Sequence, residues 1–468
     1  MTPTPAPSNS RRQFLKGAAA AATGFTIVPR HVLGGPRHVA PSEKVNVALV
    51  GAGGMGRSNL KQLFALDDVQ VISVVDPAGD YPSWPGGSNR HGRLPTKADI
   101  EKHYAGKTPN FQCKDYQDFR VMLEREKEVD AVLCATPDHL HAVISAAAMR
   151  SGRHVYCEKP LTHNLAENRK IAAIAKETGV ATQMGNQGTA QDGIRETIEL
   201  VRSGAVGPIQ TIHTWVPASR YNVDLVGRPA EGLALPDDFD WDLWLGPREP
   251  RDFHSVYHPF TWRDFWDFGS GSLGDFACHD LNASVRAFDL PLPERVTAHS
   301  AGKILDEVVP IGAMAYYDFP ATDSRPAIRL NWYDSGLKPR KPGALGEHPL
   351  PRRGTLFIGE KGVILTQSSG SAPLLFPESL RESTPTPPQS LPRSPGHHRE
   401  WIDACKGGPA AGSHFEFGAH LTEISLMGLL ALRTGKTIGW NAGKQELEGA
   451  EDIQSLIEGS YRPGWEVL

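Results

Sequence analysis

A glycine-rich turn and an acidic residue have the spacing of a dinucleotide site. The apolar run at 45–50 leads into a Gly-x-Gly-x-x-Gly turn, and a second β-type run at 69–75 ends at Asp76, twenty residues beyond Gly56. In a doubly wound fold such a turn lets the backbone approach a pyrophosphate at a helix N-terminus, and the acid meets the ribose hydroxyls of NAD. The turn residues predicted to bind the cofactor are Gly51, Gly53, Gly54, Met55 and Gly56.

The residues around this turn favour NAD over NADP. The charge of Asp76 would repel the additional phosphate of NADP, whereas Arg57, directly after the glycines, could weaken that preference. We therefore expect NAD as the cofactor, with NADP as the alternative.

Two further strand ends carry residues that could reach the nicotinamide half of the cofactor. The apolar run at 129–135 is followed by the polar segment 136–141, and the run at 154–157 is followed by the turn 158–160. Because the carboxyl ends of the strands line the ligand crevice of an open α/β sheet, both segments should face the cofactor. The further residues predicted to bind it are Thr136, Pro137, His139, His141, Glu158, Lys159 and Asn186.

Lys159 is a candidate catalytic residue. Pro160 fixes the backbone after it and disfavours a helix, so the ammonium is presented from a rigid turn. An amine beside a sugar hydroxyl can stabilise a developing alkoxide or relay its proton. The alternative is a solvated turn lysine without a chemical role.

Asp275 and His279 are a second candidate catalytic pair. The glycines end at Gly274 and a helical pattern follows, so these two residues, four apart, share one helix face. The carboxylate can then fix the tautomer of the imidazole and favour its charged form, which suits a general base. Taken alone, the same spacing also fits an ordinary helix with a satisfied histidine.

The pattern of apolar runs changes near residue 190. Up to that point short runs alternate with helical patterns, which is typical of βαβ units, whereas later strands follow one another with few helices between them. We predict an α/β protein in three parts. They are a signal and linker at 1–40, a Rossmann domain with a doubly wound parallel sheet at 41–187, and an α+β domain with a mostly antiparallel open sheet at 188–468.

Local signals add detail to these domains. A capping pattern predicts a helix that begins near Asn164 and ends at Gly179. Two proline-rich stretches, 337–353 and 368–396, are predicted to be surface loops over the second sheet.

The N-terminus has the pattern of a twin-arginine export signal. Residues 10–16 read Ser-Arg-Arg-Gln-Phe-Leu-Lys and precede twelve apolar or small residues at 17–28. Such a run is too short for a bilayer core, which needs about twenty residues. Because this route exports folded proteins, we expect a periplasmic protein with a tightly bound cofactor, tethered to the membrane if the signal is not cut.

Composition excludes other classes of function. The formal net charge of −4, with mixed signs, gives no basic footprint for nucleic acid. The five cysteines include no Cys-x-x-Cys, which predicts buried thiols rather than a disulfide framework. No third ligand follows Asp275 and His279 at a metal-site spacing, so we predict no metal.

Four ordered motifs together resemble the Gfo/Idh/MocA oxidoreductases, relatives of glucose-fructose oxidoreductase and inositol dehydrogenase. They are the glycine turn, the Thr-Pro-x-His-x-His segment, the Glu-Lys-Pro turn and the Gly-Asp-x-x-x-His helix, and the resemblance covers about residues 44–440. It implies that Lys159, Asp275 and His279 form the catalytic set, with the histidine as acid/base. It also implies a carbohydrate or polyol substrate and a homo-oligomer, a dimer or tetramer, formed through the open sheet.

The helix around His279 departs from the family pattern at two positions. The family often has a glycine two residues before the histidine and an aspartate three residues after it, and this chain has Ala277 and Asn282 there. Upstream, Trp262 and Arg263 are predicted to bind the sugar together with Asp275 and His279, the tryptophan by stacking and the arginine by hydrogen bonding. A plain structural role is the alternative for both upstream residues.

The predicted reaction is hydride transfer between a secondary hydroxyl of a sugar or polyol and the nicotinamide. In this interpretation His279 removes the hydroxyl proton, Lys159 stabilises the alkoxide and Asp275 orients the base. Outside the cytoplasm the cofactor has no pool to exchange with, which favours a closed redox cycle. The alternatives are a redox-neutral NAD-dependent glycoside hydrolase or lyase, acting by oxidation, elimination and reduction, and a catalytically idle sugar-binding protein.

Overall fold

The computed structural model describes residues 40–84, 86–108 and 110–466. The twin-arginine motif lies outside the described residues. The chain up to Lys44 is a unit of its own, of which a 3-10 turn at Pro41–Glu43 is described, and the chain from Val45 onward forms the second unit.

The first sheet of the described chain has six parallel strands. Its strands are β1 (Val45–Val50), β2 (Val69–Val75), β5 (Lys114–Tyr116), β6 (Ala131–Cys134), β7 (His154–Glu158) and β8 (Thr182–Gly185). A separate antiparallel hairpin, formed by β3 (Tyr81–Pro82) and β4 (Arg90–His91), is inserted after β2. The sheet order β5-β2-β1-β6-β7-β8 reverses direction at β1, as in a doubly wound dinucleotide fold. The central strands β1 and β6 are almost fully buried, which explains their continuous apolar runs, whereas the edge strand β5 is polar and partly exposed.

Helices cover both faces of this sheet and follow the local signals of the sequence. They are α1 (Gly54–Phe64), α2 (Arg93–Tyr104), α3 (Phe119–Arg125), α4 (Asp138–Arg150) and α5 (Leu165–Thr178). The next helix, α6 (Asp192–Arg202), packs instead against the helix at 282–288. The predicted cap of α5 is confirmed, because the Asn164 side chain accepts a hydrogen bond from the Glu167 amide at 2.8 Å and the Glu167 side chain reaches back to the Asn164 amide. Gly179 ends the helix with a φ of 64°, a conformation that favours glycine.

The second sheet of the described chain has seven strands and is mostly antiparallel. Its strands are β9 (Ile209–Trp215), β10 (Arg295–Ala301), β11 (Gly312–Phe319), β12 (Ile328–Tyr333), β13 (Gly354–Gly359), β14 (Val363–Thr366) and β15 (Leu374–Phe376). They lie in the order β10-β11-β12-β9-β13-β14-β15, and only the β12–β9 pair is parallel. The predicted fold class, a Rossmann domain followed by an α/β domain with a mostly antiparallel sheet, is confirmed.

Further helices and a small hairpin complete the described chain. They are α7 (Trp241–Leu245), α8 (Gly271–Asp280), α9 (Asn282–Phe288), α10 (Glu378–Ser383), α11 (His397–Cys405), α12 (Phe415–Thr434), the strands β16 (Gly439–Asn441) and β17 (Glu446–Glu448), and α13 (Gln454–Glu458). By length and composition α12 could cross a membrane, but 78% of its most apolar stretch is buried inside the protein, as in a core helix.

The end of the chain packs against the first sheet. Trp401 and Ile402 of α11 belong to the same hydrophobic cluster as Val47 and Leu49 of β1. On α12, the hydroxyl of Thr422 accepts a hydrogen bond from the Leu161 amide at 3.3 Å. Residues from well beyond 188 therefore stabilise the Rossmann sheet, and the boundary at 187 stays a prediction.

The second proline-rich stretch is more structured than predicted. Residues 368–396 include β15 and α10, and Leu375 and Phe376 are buried beside β14. These apolar residues extend the sheet by one strand, a pairing that cannot be read from three residues of sequence. The stretch 337–353 does lie over the sheet, because Leu345 packs with Trp215.

Candidate active site

The glycine turn after β1 has the geometry that a pyrophosphate site requires. Gly51 has a φ of 91°, and a Cβ there would lie 2.6 Å from the backbone carbon of Ala135. A Cβ at Gly56 would clash with the carbonyl oxygen of Gly51. Helix α1 begins at Gly54, and no side chain caps its first amides. The backbone at this turn therefore fits a dinucleotide phosphate, since amides and the helix dipole both favour an anion.

Asp76 ends β2 beside this turn and is buried. Its carboxylate accepts hydrogen bonds from the amides of Ala52 at 2.8 Å and Ala78 at 3.0 Å, and Tyr81 lies at 3.4 Å. Burial raises the pKa of Asp76 to about 6, although these donors favour the charged form. Asp76 is therefore poised to accept further hydrogen bonds, such as those from ribose hydroxyls.

Arg57, the residue that could have favoured NADP, is occupied elsewhere. Its guanidinium forms an ion pair with Asp99 and donates a hydrogen bond to Thr96 at 2.9 Å. These contacts hold its charge on α2, and it does not line the cavity described next.

A cavity of about 380 Å³ joins the glycine turn to the second domain. Every predicted site residue lines it except Gly56, His139, Asn186 and His279. Gly56 packs beneath the turn. His139 is buried, and its Nε2–H donates a hydrogen bond to the carbonyl oxygen of Trp244 at 3.0 Å.

The two strand-end turns are tied together at the cavity wall. The ring nitrogens of His141 lie 2.7 Å from the Pro160 carbonyl oxygen and 3.0 Å from that of Thr136. The Glu158 carboxylate accepts hydrogen bonds from Asn59 and Gln187, both at 2.9 Å. His141 and Glu158 thus position the turn that carries the candidate lysine.

Lys159 and Asp275, from the two domains, form an ion pair in this cavity. Their side chains are 13% and 15% exposed, so the pair is largely shielded from solvent. Burial disfavours the ammonium, but Asp275 and Glu158 outweigh it and hold the pKa of Lys159 above its usual value. Burial also opposes the carboxylate, yet Lys159 and Arg263 bring the pKa of Asp275 down to about 2. Both groups are charged across the ordinary pH range.

Two further side chains complete the surroundings of Asp275. The hydroxyl of Tyr221 donates a hydrogen bond to Asp275 Oδ2 at 3.3 Å, and Arg263 Nε lies 3.9 Å from the same oxygen. Tyr221 was missed by the sequence analysis, because it lies in a loop after β9 where no periodic pattern or motif marks it. Its position follows only from the fold.

Trp262 lines the cavity but has little free surface. It is 6% exposed, and the guanidinium of Arg263 lies 4.2 Å from the centre of its ring. One face is therefore covered, which limits the stacking that the sequence predicted for it.

His279 lies one helical turn beyond Asp275 on α8; it is half-buried and is not among the residues that line the cavity. Burial, Lys159 and Arg353 lower the pKa of His279 well below its usual value, and Asp275 does not offset them. The imidazole is therefore neutral, and it makes no hydrogen bond with the described residues. Asn186 is buried and does not line the cavity either, and its side chain donates a hydrogen bond to the Cys278 carbonyl oxygen at 3.1 Å.

Two family models match consecutive parts of the chain. The model of the oxidoreductase family, NAD-binding Rossmann fold, matches residues 96–186, and the C-terminal alpha/beta domain model of the same family matches residues 193–298.

Curated relatives match shorter stretches. The dTDP-3,4-didehydro-2,6-dideoxy-alpha-D-glucose 3-reductase of Streptomyces violaceoruber is 32% identical over 25% of this chain and 36% of its own length. The 2,7-anhydro-N-acetylneuraminate hydratase of Escherichia coli is 25% identical over 36% of this chain and 39% of its own length. The chain thus spans well under half the length of these two relatives.

A solved structure shares the fold over nearly its full length. The WlbA dehydrogenase from Bordetella pertussis, in complex with NADH and UDP-GlcNAcA, has a TM-score of 0.57 at 15% identity, covering 85% of this chain and 99% of that one. The two family models show that residues 96–186 and 193–298 resemble the NAD-binding Rossmann domain and the C-terminal domain of the Gfo/Idh/MocA oxidoreductases, and the curated relatives support this likeness.

Proposed function

We propose that the protein is an exported oxidoreductase that transfers a hydride between a sugar or polyol hydroxyl and a tightly bound NAD. The observation that carries this proposal is the Lys159–Asp275 ion pair, which joins the two domains in the cavity that begins at the glycine turn. The charged ammonium is the group that a developing alkoxide requires, and it lies next to the predicted nicotinamide position.

In this mechanism the described residues bind the substrate and move its proton. When bound, NAD supplies the acceptor for the hydride. The Lys159 ammonium donates a hydrogen bond to the reacting oxygen, and Asp275 keeps that ammonium charged and oriented. His279, which is neutral, receives the hydroxyl proton, and this step requires its half-buried imidazole to reach the reacting oxygen.

We also propose that the cofactor stays bound through the catalytic cycle. The hairpin β3–β4 supports this, because the hydroxyl of Tyr81 lies 3.2 Å from the position of a Cβ on Gly53, directly over the glycine turn. The Tyr81 ring also packs on His258 of the second domain, with ring centres 4.3 Å apart. A periplasmic location fits a cofactor that does not exchange.

A redox-neutral glycoside hydrolase or lyase is the second candidate. It is favoured by the similarity to a protein named as a hydratase of an anhydro sugar, which is a reaction without net redox change. An aryl glycoside distinguishes the two candidates, since only the second releases the aglycone.

The experiment is to purify the protein from the exported fraction and analyse it for nicotinamide nucleotide by mass and absorbance. We expect bound NAD and, on adding an oxidisable sugar without any acceptor, a rise in absorbance at about 340 nm. A protein without nucleotide that also fails to bind added NAD would contradict the proposal.

A further inference from the structure

A row of three aromatic rings, exposed at its two ends, runs along one side of the cavity. It consists of Trp84 from the β3–β4 hairpin, Phe260 and Tyr221, and all three line the cavity. The ring centres of Trp84 and Phe260 are 4.5 Å apart, and those of Phe260 and Tyr221 are 4.6 Å apart. The row is assembled from three separate segments of the chain. Because the guanidinium of Arg263 lies 4.6 Å from the centre of the Phe260 ring, the open ring surface is mainly that of Trp84 and Tyr221.

This surface is open to solvent at both ends. Trp84 is 49% exposed and Tyr221 is 41% exposed, although most large aromatic side chains in the described chain are buried. Exposing these rings to water loses the free energy that their burial would provide. A contiguous exposed apolar patch of this kind therefore usually marks a binding site.

The row leads directly to the proposed reaction centre. The Tyr221 hydroxyl bonds Asp275, which in turn holds Lys159, so the Tyr221 end adjoins the candidate ion pair and the Trp84 end lies farther out. A ligand with one ring at Lys159 and a second ring beyond it would cover the row.

The charges in the cavity favour a neutral ligand. The described residues that line the cavity include one lysine, Lys159, and one arginine, Arg263, and both face Asp275. Burial lowers the pKa of His258 to about 3, and burial together with Arg57 lowers that of His91, so these lining histidines are uncharged. The third lining histidine, His141, is held by the carbonyl oxygens of Pro160 and Thr136. None of the basic side chains in this lining set is therefore free to match a diphosphate beyond the cofactor.

We propose that Trp84, Phe260 and Tyr221 form a subsite for the second sugar ring of a neutral glycoside whose first ring is oxidised at Lys159. The inference rests on the proposed function and names its substrate class. The flat apolar faces of a pyranose pack against aromatic rings, while Tyr221 and Arg263 offer polar contacts at the inner end.

The test compares two probes that carry the same reactive sugar. One is the methyl glycoside of the monosaccharide that reduces the bound cofactor fastest, and the other is the disaccharide with that sugar at its non-reducing end. The Trp84→Ala variant should raise the KM for the disaccharide about tenfold and leave both its kcat and the kinetics with the methyl glycoside unchanged, because only binding of the outer ring is lost. Trp84→Phe should restore most of the affinity.

Leu94→Ala is the matched control, since Leu94 is 44% exposed on α2 and does not line the cavity. This variant should leave the KM and kcat for both probes unchanged. Equal losses for both probes in Trp84→Ala, or faster release of NAD from that variant, would overturn the subsite, because Trp84 would then support the fold or the cofactor.

Calorimetric binding of both probes to the wild-type holoenzyme separates this inference from the proposed function. Tighter binding of the disaccharide without any reduction of the cofactor would refute the proposed reaction and keep the subsite. Equal binding of the two probes would refute the subsite, whatever the activity.

Discussion

Asp275 is bound more closely to Lys159 than to the histidine that the sequence paired with it. Lys159, Tyr221 and Arg263 surround its carboxylate, whereas the electrostatic effect of His279 on it is smaller. Asp275 and His279 do share one helix face, as their spacing predicts. The contact with Lys159, which is distant in sequence, is the one that keeps the Asp275 carboxylate charged. The sequence predicted that Asp275 orients His279, whereas in the structure Asp275 contacts and orients Lys159.

Replacing Lys159 tests its role in the chemical step. Lys159→Met keeps the length of the side chain and removes the charge, and we expect kcat to fall by about 10²–10⁴-fold because the developing alkoxide loses its ammonium. The rate of cofactor reduction measures this, with bound NAD quantified in the same sample. Lys97→Met, which removes a lysine paired with Asp115 outside the cavity, should retain wild-type kcat. Equal rates for the wild type and Lys159→Met would contradict the assigned role.

Asp76 should make NAD binding depend on pH. Burial raises the pKa of Asp76 to about 6 in the free protein, so the folded protein favours the protonated carboxyl. The stability that this proton provides is lost as the pH rises through 6. Ribose hydroxyls that donate to the carboxylate favour the charged form, so binding releases a proton and the affinity for NAD should increase from pH 5 to pH 7, by up to about tenfold per pH unit below 6.

Calorimetric titrations of the cofactor-free protein at several pH values measure this dependence. Asp76→Asn should bind NAD more weakly and with little change over that range. Asp80→Asn, which changes an exposed acid of the same segment, should keep the wild-type profile. A flat wild-type profile would show that Asp76 does not meet the ribose.

At the scale of elements, the segment between β2 and α2 connects the two domains over the predicted cofactor. Arg93 forms an ion pair with Asp238, and the Gly79 amide donates to the Asp238 carbonyl oxygen at 2.7 Å. The hairpin that carries Tyr81 lies between these contacts. Asp238 thus holds both ends of the segment that would cover NAD.

Weakening this connection should accelerate cofactor release. In Asp238→Asn we expect the dissociation rate of NAD to rise about two- to fivefold, the effect of losing one partly exposed ion pair, with kcat unchanged when the cofactor is saturating. Stopped-flow displacement of NAD measures the rate. The neighbouring exposed acid in Asp237→Asn is the control, and equal rates for the two variants would show that the ion pair does not retain the cofactor.

The elements that sequence predicted well are those specified by neighbouring residues. The glycine turn and the cap of α5 depend on interactions within about five residues, so their patterns are visible in the sequence. Tyr221 and Trp84 reach the cavity through loops, and Trp401 reaches the first sheet from the other end of the chain. No local pattern encodes such contacts, because tertiary packing alone brings the segments together.

At the scale of the whole molecule, the first sheet depends on residues near the end of the chain. Trp401 is fully buried against Tyr156 of β7, with ring centres 5.5 Å apart, and it packs in the cluster that includes β1. The indole N–H has no hydrogen-bond partner among the described residues, so the contribution of this side chain is packing. The N-terminal sheet and α11 should therefore unfold together.

Trp401→Ala tests this coupling. Removing a fully buried tryptophan leaves a cavity between α11 and the sheet, and we expect the free energy of unfolding to fall by about 3–5 kcal/mol. Urea unfolding followed both by fluorescence and by loss of NAD binding should give one transition at a lower midpoint, because the cavity weakens both parts of a single cooperative unit. Trp84→Ala, at an exposed position, should shift the midpoint little. Two separate transitions in Trp401→Ala, with NAD binding kept through the first, would show instead that the Rossmann sheet is stable without the C-terminal helices.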